Sequence, residues 1–161
     1  MSEDVASVGS DAVVSLREVT AETVRTICEL AVKPHQTRFV APNAVSIAEA
    51  YFEPHAWFRA IYADETPVGF VMLDDNPEEH DYFLWRFMIA GPHQGKGFGK
   101  QALRLVVDYV KTRPGARVLE TSYVPGDGSP AGFYIKFGFQ ETGELDGDER
   151  IMFLPLLHQR G

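Results

Sequence analysis

The apolar positions in the first third of the chain predict one short strand followed by two helices. Residues 13–19 form an apolar-rich run followed by a threonine, a residue type that caps helix N-termini. Ser46, with Glu49 three residues later, is typical of a capping box, which predicts that the second helix begins at Ser46. Pro34 and Pro54 should end the two helices, because a proline restricts the residue before it. The first helix shows apolar residues at helical spacing, namely Val24, Ile27, Cys28 and Ala31.

The rest of the chain alternates between strands and helices. One helix with an apolar face follows the glycines at residues 95, 97 and 99, and another covers about residues 129–137. Strand–helix–strand units imply a parallel pair and hairpins imply antiparallel pairs, so the fold class is a mixed α/β sheet covered by helices. The predicted strands lie at residues 56–62, 67–73, 82–90, 117–124, 139–142 and 150–154.

Length and composition indicate one globular domain. The 161 residues suffice for a single core, and the hydrophobic fraction of 45% is that of a folded protein. Residues 1–11 are acidic, small and polar, so we expect a disordered tail there and a domain at residues 12–157. No apolar run approaches the roughly 18 residues of a membrane span, and no signal peptide is seen. Cys28 is the single cysteine, which favours a cytoplasmic setting.

Charge and histidine spacing exclude two further classes of function. The net charge of −8 argues against a nucleic-acid-binding protein, because such proteins present a basic face to phosphates. An acidic surface could attract a cationic partner or could serve solubility alone. His35 and His55 lack the spacing of metal ligands, so no metal site is predicted.

A glycine-rich loop lies between the strand at residues 82–90 and the following helix. Gly95, Gly97 and Gly99 occupy alternate positions, and two lysines lie among them. Helix N-termini carry unsatisfied N–H groups and the positive end of the dipole, so a loop without side chains there favours an anion, usually phosphate. The spacing matches neither the P-loop, which needs four residues between its glycines, nor the Rossmann fingerprint.

Two motifs together resemble the GNAT family of N-acetyltransferases. The first is QGKGFG at residues 94–99, between a strand and a helix, and the second is FYIKFGF at residues 133–139. The resemblance spans residues 13–155 and implies a mostly antiparallel seven-stranded sheet with one splayed parallel pair and about four flanking helices. RFMI at residues 86–89 and GELD at residues 143–146 are similar to bacterial spermine/spermidine acetyltransferases of drug-efflux operons.

The resemblance also implies an acetyl-CoA site and a general acid. Strand backbone groups would pair with the pantetheine arm, and the loop amides would hold the pyrophosphate. Asp127 stands where the family usually has an asparagine, and a carboxylate cannot donate an amide N–H to the cofactor. Tyr134 is predicted to give its proton to the departing sulfur. The implied cofactor-binding residues are Phe87, Met88, Ile89, Gln94, Gly95, Lys96, Gly97, Phe98, Gly99, Lys100, Asp127 and Tyr134.

The acceptor implied by the resemblance is a small cationic amine, with polyamines first. An aminoglycoside-type drug, an amino acid or a protein N-terminus stays open, as does a catalytically idle module that binds coenzyme A. Related polyamine enzymes carry an acidic residue where this chain has Trp85. We therefore expect Asp81 or Glu120 to remove the amine proton through water. Trp85 either holds a cation on its ring or packs as an ordinary strand tryptophan. His35 and Phe39 complete the predicted acceptor site, and the family suggests a homodimer.

Overall fold

Residues 8–157 are described by the computed structural model, and this part of the chain contains seven strands and four α-helices. The strands are β1 (Val14–Arg17), β2 (Ala56–Ala63), β3 (Thr66–Asn76), β4 (Asp81–Ile89), β5 (Val118–Tyr123), β6 (Gln140–Asp146) and β7 (Glu149–Pro155). The helices are α1 (Val24–Glu29), α2 (Asn43–Ala50), α3 (Phe98–Lys111) and α4 (Ala131–Phe137), with 3-10 turns at Pro34–Phe39 and Gly91–His93.

All seven strands form one sheet in the order β1-β2-β3-β4-β5-β7-β6. Every neighbouring pair is antiparallel except β4 and β5, which run parallel. A crossover through α3 joins these two strands, as a parallel connection requires. The predicted fold class is therefore confirmed: a mostly antiparallel seven-stranded sheet with one parallel pair and four helices.

The parallel strands β4 and β5 pair over a short distance and then separate. Phe83 lies opposite Glu120 and Leu84 lies opposite Thr121, and these are the two residue pairs of the β4–β5 ladder. Beyond Leu84, the second half of β4 continues along β3 alone. The two strands thus open a gap on the side where β4 ends.

A β-bulge in β4 coincides with the point of separation. Leu84 and Arg86 pair with Leu73 and Met72 of β3, which are adjacent residues, so Trp85 is an extra residue without a cross-strand partner. A bulge bends its strand and increases the local twist. The bulge at Trp85 therefore provides a physical reason for β4 to turn away from β5.

Each face of the sheet buries its own apolar cluster. Beyond the bulge, Phe87 and Ile89 pack on the cluster under α3 and α4, whereas Met88 belongs to the cluster under α1 and α2. Helix α3 is amphipathic, and its inward side is fully or almost fully buried, as its sequence pattern predicts. That inward side consists of Phe98, Ala102, Leu103, Val106, Val107 and Val110.

The predicted start of the second helix is wrong by one turn. Helix α2 begins at Asn43, after Pro42, and Ser46 lies inside it, fully buried. The Ser46 hydroxyl donates to the Pro42 carbonyl at 3.4 Å instead of capping a helix end. The buried Asn43 amide donates to the Ile27 carbonyl at 2.9 Å, so the tertiary contact with α1, and not a local cap, determines where α2 starts.

The predicted tail at residues 1–11 lies mostly outside the described residues, which begin at Val8. Val8 packs against the core under α3, and the Ala12 N–H donates to the Gly9 carbonyl in a turn. The boundary between tail and domain at residue 12 stays a prediction. Within residues 8–157, none of the helices has the length and apolar character that a membrane span requires.

Candidate active site

A cleft of about 1000 Å³ opens where β4 and β5 separate. The second half of β4 forms one wall through Phe87, Met88 and Ile89, and Thr121 of β5 faces them. The glycine loop lies at one end of the cleft, and α4 contributes Tyr134. The splayed strands therefore bring the two sequence motifs to one cavity, although the motifs lie far apart in the chain.

The glycine loop exposes backbone N–H groups to the cleft. Gly95 and Gly97 have positive φ values of 79° and 84°, and a Cβ on either would meet no atom within 4 Å. The first intrahelical bond of α3 runs from the Gln101 N–H to the Gly97 carbonyl at 3.2 Å, so the three amides before Gln101 have no partner within the helix. These amides and the dipole of a 14-residue helix fit a diphosphate group.

Tyr134 is buried, with only 5% of its surface exposed, yet it lines the cleft. The rings of Phe133 and Phe139 lie 5.6 and 5.3 Å from its own. Burial raises the pKa of Tyr134 to about 12, and a hydrogen bond with the Thr121 hydroxyl opposes this effect. The phenol therefore keeps its proton at neutral pH and can donate it to a group bound in the cleft.

Contacts within the protein already engage two side chains of the predicted cofactor set, those of Lys96 and Gln94. Lys96 donates from Nζ to the Val8 carbonyl at 2.9 Å. Gln94 donates from Nε2 to the Ile89 carbonyl at 2.8 Å. The Asp127 carbonyl accepts from Arg38, and Asp127 itself is not among the residues that line the cleft. Lys96 is likewise absent from the lining, so any cofactor contact of Lys96 would use its backbone, whereas Gln94, Phe98, Gly99 and Lys100 line the cleft.

Two of the predicted acceptor residues line the cleft, and each already has a cation on its ring. The Arg86 guanidinium lies 5.2 Å from the centre of the Trp85 ring. The Arg38 guanidinium lies 4.4 Å from the centre of the Phe39 ring. One face of each ring is thus already in use. His35 packs instead near Gly128, where an added Cβ would lie 3.4 Å from its ring.

The structure does not bring Asp81 or Glu120 to the cleft. Both residues line a separate cavity of about 430 Å³ beside His80 and Arg117. Glu120 precedes the point at which β4 and β5 separate, because it pairs with Phe83. Burial, followed by the charges of Asp81 and Glu144, raises the pKa of Glu120. Asp81 and Glu120, the predicted bases, therefore lie beside the part of β4 and β5 that is still paired, and not beside the gap.

The cleft contains acidic residues that sequence reasoning missed. Asp146 and Glu149, at the turn between β6 and β7, both line it. The GELD motif ends at Asp146, but nothing local indicates that β7 inserts between β5 and β6 and carries this turn to the cleft. His93 also lines the cleft, and burial, followed by the charge of Lys96, lowers its pKa, so the imidazole is neutral at pH 7.

The profile of the Acetyltransferase (GNAT) family matches residues 22–139. The chain belongs to the GNAT family. It is 26% identical over 154 residues to the spermine/spermidine N(1)-acetyltransferase of Bacillus subtilis (strain 168), covering 89% of this chain and 99% of that protein. This GNAT protein is therefore an acyltransferase, and the predicted resemblance is confirmed.

Solved structures agree on the fold of this GNAT protein. An acetyltransferase from Thermus thermophilus superposes with a TM-score of 0.71 at 19% identity, covering 89% of this chain and 97% of that one. A spermidine N-acetyltransferase from Vibrio cholerae, in complex with CoA and spermine, has a TM-score of 0.67 at 17% identity and covers 89% and 95%. Across residues 8–157, no group of three or more His, Cys, Asp or Glu side chains is arranged to hold a metal.

Proposed function

We propose that this protein transfers the acetyl group of acetyl-CoA to a primary amine of a small cationic acceptor, with polyamines as the first choice. The observation that carries the proposal is the cleft, where the glycine-rich N-terminus of α3 and a buried phenol both line the gap between β4 and β5. The name of the Bacillus subtilis relative supports a polyamine acceptor.

Backbone groups would hold the cosubstrate. The residues after the bulge, Phe87 to Ile89, would pair with the pantetheine arm on the side of β4 that β5 leaves free. The amides of residues 94–99 would hold the diphosphate. A backbone N–H near Met88, on the side of β4 that β5 leaves free, would polarise the acetyl carbonyl, as oxyanion donors do. Bound acetyl-CoA supplies an activated thioester, so the protein needs no nucleophile of its own.

Tyr134 would act as the general acid. A phenol whose pKa is raised by burial to about 12 is protonated at neutral pH, so it has a proton to offer the departing sulfur. Its fixed position among Phe133 and Phe139 holds the hydroxyl in one place. The amine attacks the carbonyl directly once it has lost its proton.

Acidic side chains of the cleft support a cationic acceptor. Asp146 and Glu149 line the same cavity as Tyr134, and the chain carries a net charge of −8. Both would attract ammonium groups. Asp146 and Glu149 replace Asp81 and Glu120 as the acidic groups that could receive the amine proton through water.

A second acceptor class is favoured by one observation. Arg86 lines the cleft and meets Glu49 at 3.4 Å, while its buried Nε has no hydrogen-bond partner among the described residues. A guanidinium that lines the cleft suits a carboxylate. An amino acid that carries both an amine and a carboxylate is therefore the alternative acceptor.

A thiol-release assay with DTNB separates these acceptors. The purified protein and acetyl-CoA are combined with spermidine, spermine, an aminoglycoside, free amino acids and a peptide with a free N-terminus. Turnover with spermidine and spermine above all others supports the proposal, and preference for an amino acid supports the alternative. Tight binding of acetyl-CoA in calorimetry without turnover on any amine would instead indicate an idle coenzyme-A-binding module.

Two further expectations belong to this proposal. A homodimer is expected from the family, and light scattering coupled to size-exclusion chromatography measures it directly. A cytoplasmic setting is expected from the lone Cys28 and from the need for acetyl-CoA.

A further inference from the structure

The segment Pro34–Phe39, here called the bridging segment, is tied to the glycine loop by a reciprocal pair of side-chain amides. Gln94 donates from Nε2 to Gln36 Oε1 at 2.8 Å, and Gln36 donates from Nε2 to Gln94 Oε1 at 3.2 Å. The Lys33 N–H also donates to Gln36 Oε1 at 3.0 Å. A glutamine carries two donors and one oxygen that accepts twice, so Gln36 uses both acceptor positions and one donor here.

Gln94 also contacts the end of β4, which forms a wall of the cleft. The same Nε2 that donates to Gln36 also donates to the Ile89 carbonyl at 2.8 Å. One carboxamide therefore joins the bridging segment, the glycine loop and the end of β4. The Gly91 N–H, which donates to the Ala31 carbonyl at 2.9 Å, reinforces the connection nearby.

The other end of the bridging segment reaches the loop between β5 and α4, which also contributes to the lining of the cleft. Arg38 donates from Nη2 to the Asp127 carbonyl at 3.3 Å. Gly126 and Gly128 approach the segment so closely that added Cβ atoms would lie 2.8 Å from Arg38 and 3.4 Å from Phe39. The segment thus crosses from the glycine loop to the β5–α4 loop, and it lines the cleft between them.

We infer that Gln36 is a positioning residue that transmits cosubstrate binding at the glycine loop to the acceptor side of the cleft, an inference that rests on the proposed function. Acetyl-CoA would order the loop that contains Gln94. Gln94 would then hold Gln36 and with it the bridging segment, which forms a wall of the acceptor space. Thermodynamic linkage requires that the acceptor, in turn, tightens cosubstrate binding by the same factor.

Hydrogen exchange tests this coupling without any turnover. In the wild type, acetyl-CoA should protect the amides of residues 94–100 and also those of residues 33–40. In Gln36→Ala, protection of residues 94–100 should persist while that of residues 33–40 is lost. Gln36→Glu keeps the two acceptor contacts and loses the donor to Gln94 Oε1, so it should retain part of the effect and serves if the alanine variant folds poorly.

Steady-state kinetics provide the second readout. Gln36→Ala should raise the acceptor KM about 10-fold at saturating acetyl-CoA and change the acetyl-CoA Kd less than about 3-fold, a split that a general loss of stability would not produce. Combining it with Gln94→Ala should add little, because both changes break the same contact. Gln140→Ala, at an exposed glutamine of β6, is the matched control and should leave both constants unchanged.

The outcomes separate two kinds of failure. Equal protection of residues 33–40 in the wild type and in Gln36→Ala would overturn the coupling and leave the cosubstrate site intact. Absence of protection at residues 94–100 in the wild type would overturn the proposed cosubstrate site and, with it, the coupling.

Discussion

The two ends of the layer formed by β4 and α3 are built in opposite ways. At the end where α3 begins, glycines replace side chains, β4 has left β5, and backbone N–H groups face a cleft. We call this the open end. At the opposite end, where α3 finishes and which we call the closed end, side chains connect the helix to the sheet. There Asp75 of β3 accepts from Tyr109 at 2.5 Å and from Arg113 at 3.0 Å, and the Tyr82 hydroxyl donates to the Pro114 carbonyl.

Aromatic packing strengthens the closed end further. Trp57 stacks on Tyr109, with ring centres 4.4 Å apart and planes within 11° of each other. The Arg59 guanidinium lies over the Trp57 ring, 4.6 Å from the centre of that ring. Helix α3 thus serves two purposes: its C-terminal half is fixed to the sheet by side chains, which leaves its N-terminus free to offer backbone donors to a ligand.

The largest expected effect comes from Gly97→Val at the open end. Valine would strain a position with φ of 84° and would place methyl groups where the diphosphate approaches. We expect the affinity for acetyl-CoA to fall about 10³-fold, which corresponds to about 4 kcal/mol, as measured by isothermal titration calorimetry.

Gly143→Val is the matched control for Gly97→Val. Gly143 lies in β6 and has the same φ of 84° with no atom within 4 Å of an added Cβ. Both variants should lose similar thermal stability, but only Gly97→Val should lose acetyl-CoA binding. Equal affinities in the two variants would show that the diphosphate binds elsewhere.

The second prediction concerns the phenol in the cleft. Tyr134→Phe should lower kcat about 10²-fold, because a proton donor to the sulfur is removed. The acetyl-CoA Kd should change little, since the ring and its contacts with Phe133 and Phe139 remain. Because the pKa of Tyr134 is about 12, no loss of rate from its ionisation should appear in the wild type up to about pH 10.

Stopped assays of thiol release at saturating substrates measure this change in kcat. Tyr51→Phe, at a tyrosine that is 85% exposed, removes a phenol that does not line the cleft and should leave kcat unchanged. A Tyr134→Phe variant with the kcat of the wild type would exclude Tyr134 as the general acid.

The open end was more predictable from sequence than the acceptor side, for a physical reason. The glycine loop and the Tyr134 motif are local patterns, because their backbone geometry depends on residues a few positions apart. The positions of Asp81 and Glu120 depend instead on where β4 and β5 part, which the bulge at Trp85 sets through pairing with β3. The register between neighbouring strands is determined by tertiary contacts, so it leaves no periodic signal in the sequence.

Two other features escaped prediction for the same reason. Asp146 reaches the cleft only because β7 inserts between β5 and β6. The Gln36–Gln94 pair joins residues 58 positions apart, and the motif that contains Gln94 does not indicate that Gln36 is its partner. The closed end was also missed, because nothing in the sequence distinguishes Asp75, which is only 8% exposed, from the acidic residues Asp74, Glu78 and Glu79 near it.

The third prediction concerns Asp75, the buried carboxylate of the closed end. Asp75→Asn should lower the free energy of unfolding by about 2 kcal/mol, because two hydrogen bonds to a buried carboxylate lose their charge assistance. The kcat should stay within about 2-fold of the wild type, since the cleft lies at the other end of α3. Urea unfolding measures the first quantity and thiol release the second.

Asp108→Asn provides the comparison on the same helix. Asp108 is exposed on α3, so the same chemical change there should alter stability by less than about 0.5 kcal/mol. A large fall of kcat in Asp75→Asn at unchanged stability would show that the two ends of α3 are not independent.

The smallest expected effect belongs to Tyr109→Phe, which should lower the free energy of unfolding by about 1 kcal/mol at pH 7 by removing one hydrogen bond to Asp75. Burial, followed by that hydrogen bond, raises the pKa of Tyr109 to about 12, whereas an unfolded tyrosine titrates near 10. Between these values the unfolded state binds fewer protons, so the contribution of Tyr109 is complete below about pH 10 and is lost as the pH rises toward 12.

The stability difference between wild type and Tyr109→Phe should therefore be largest near neutral pH and shrink at about pH 10.5 and above. Urea unfolding at the two pH values measures it. If the stability difference stays constant or grows with pH, then neither burial nor the hydrogen bond with Asp75 keeps the Tyr109 phenol protonated. The closed end would then owe its rigidity to the stacked rings of Trp57 and Tyr109, which the phenylalanine variant preserves.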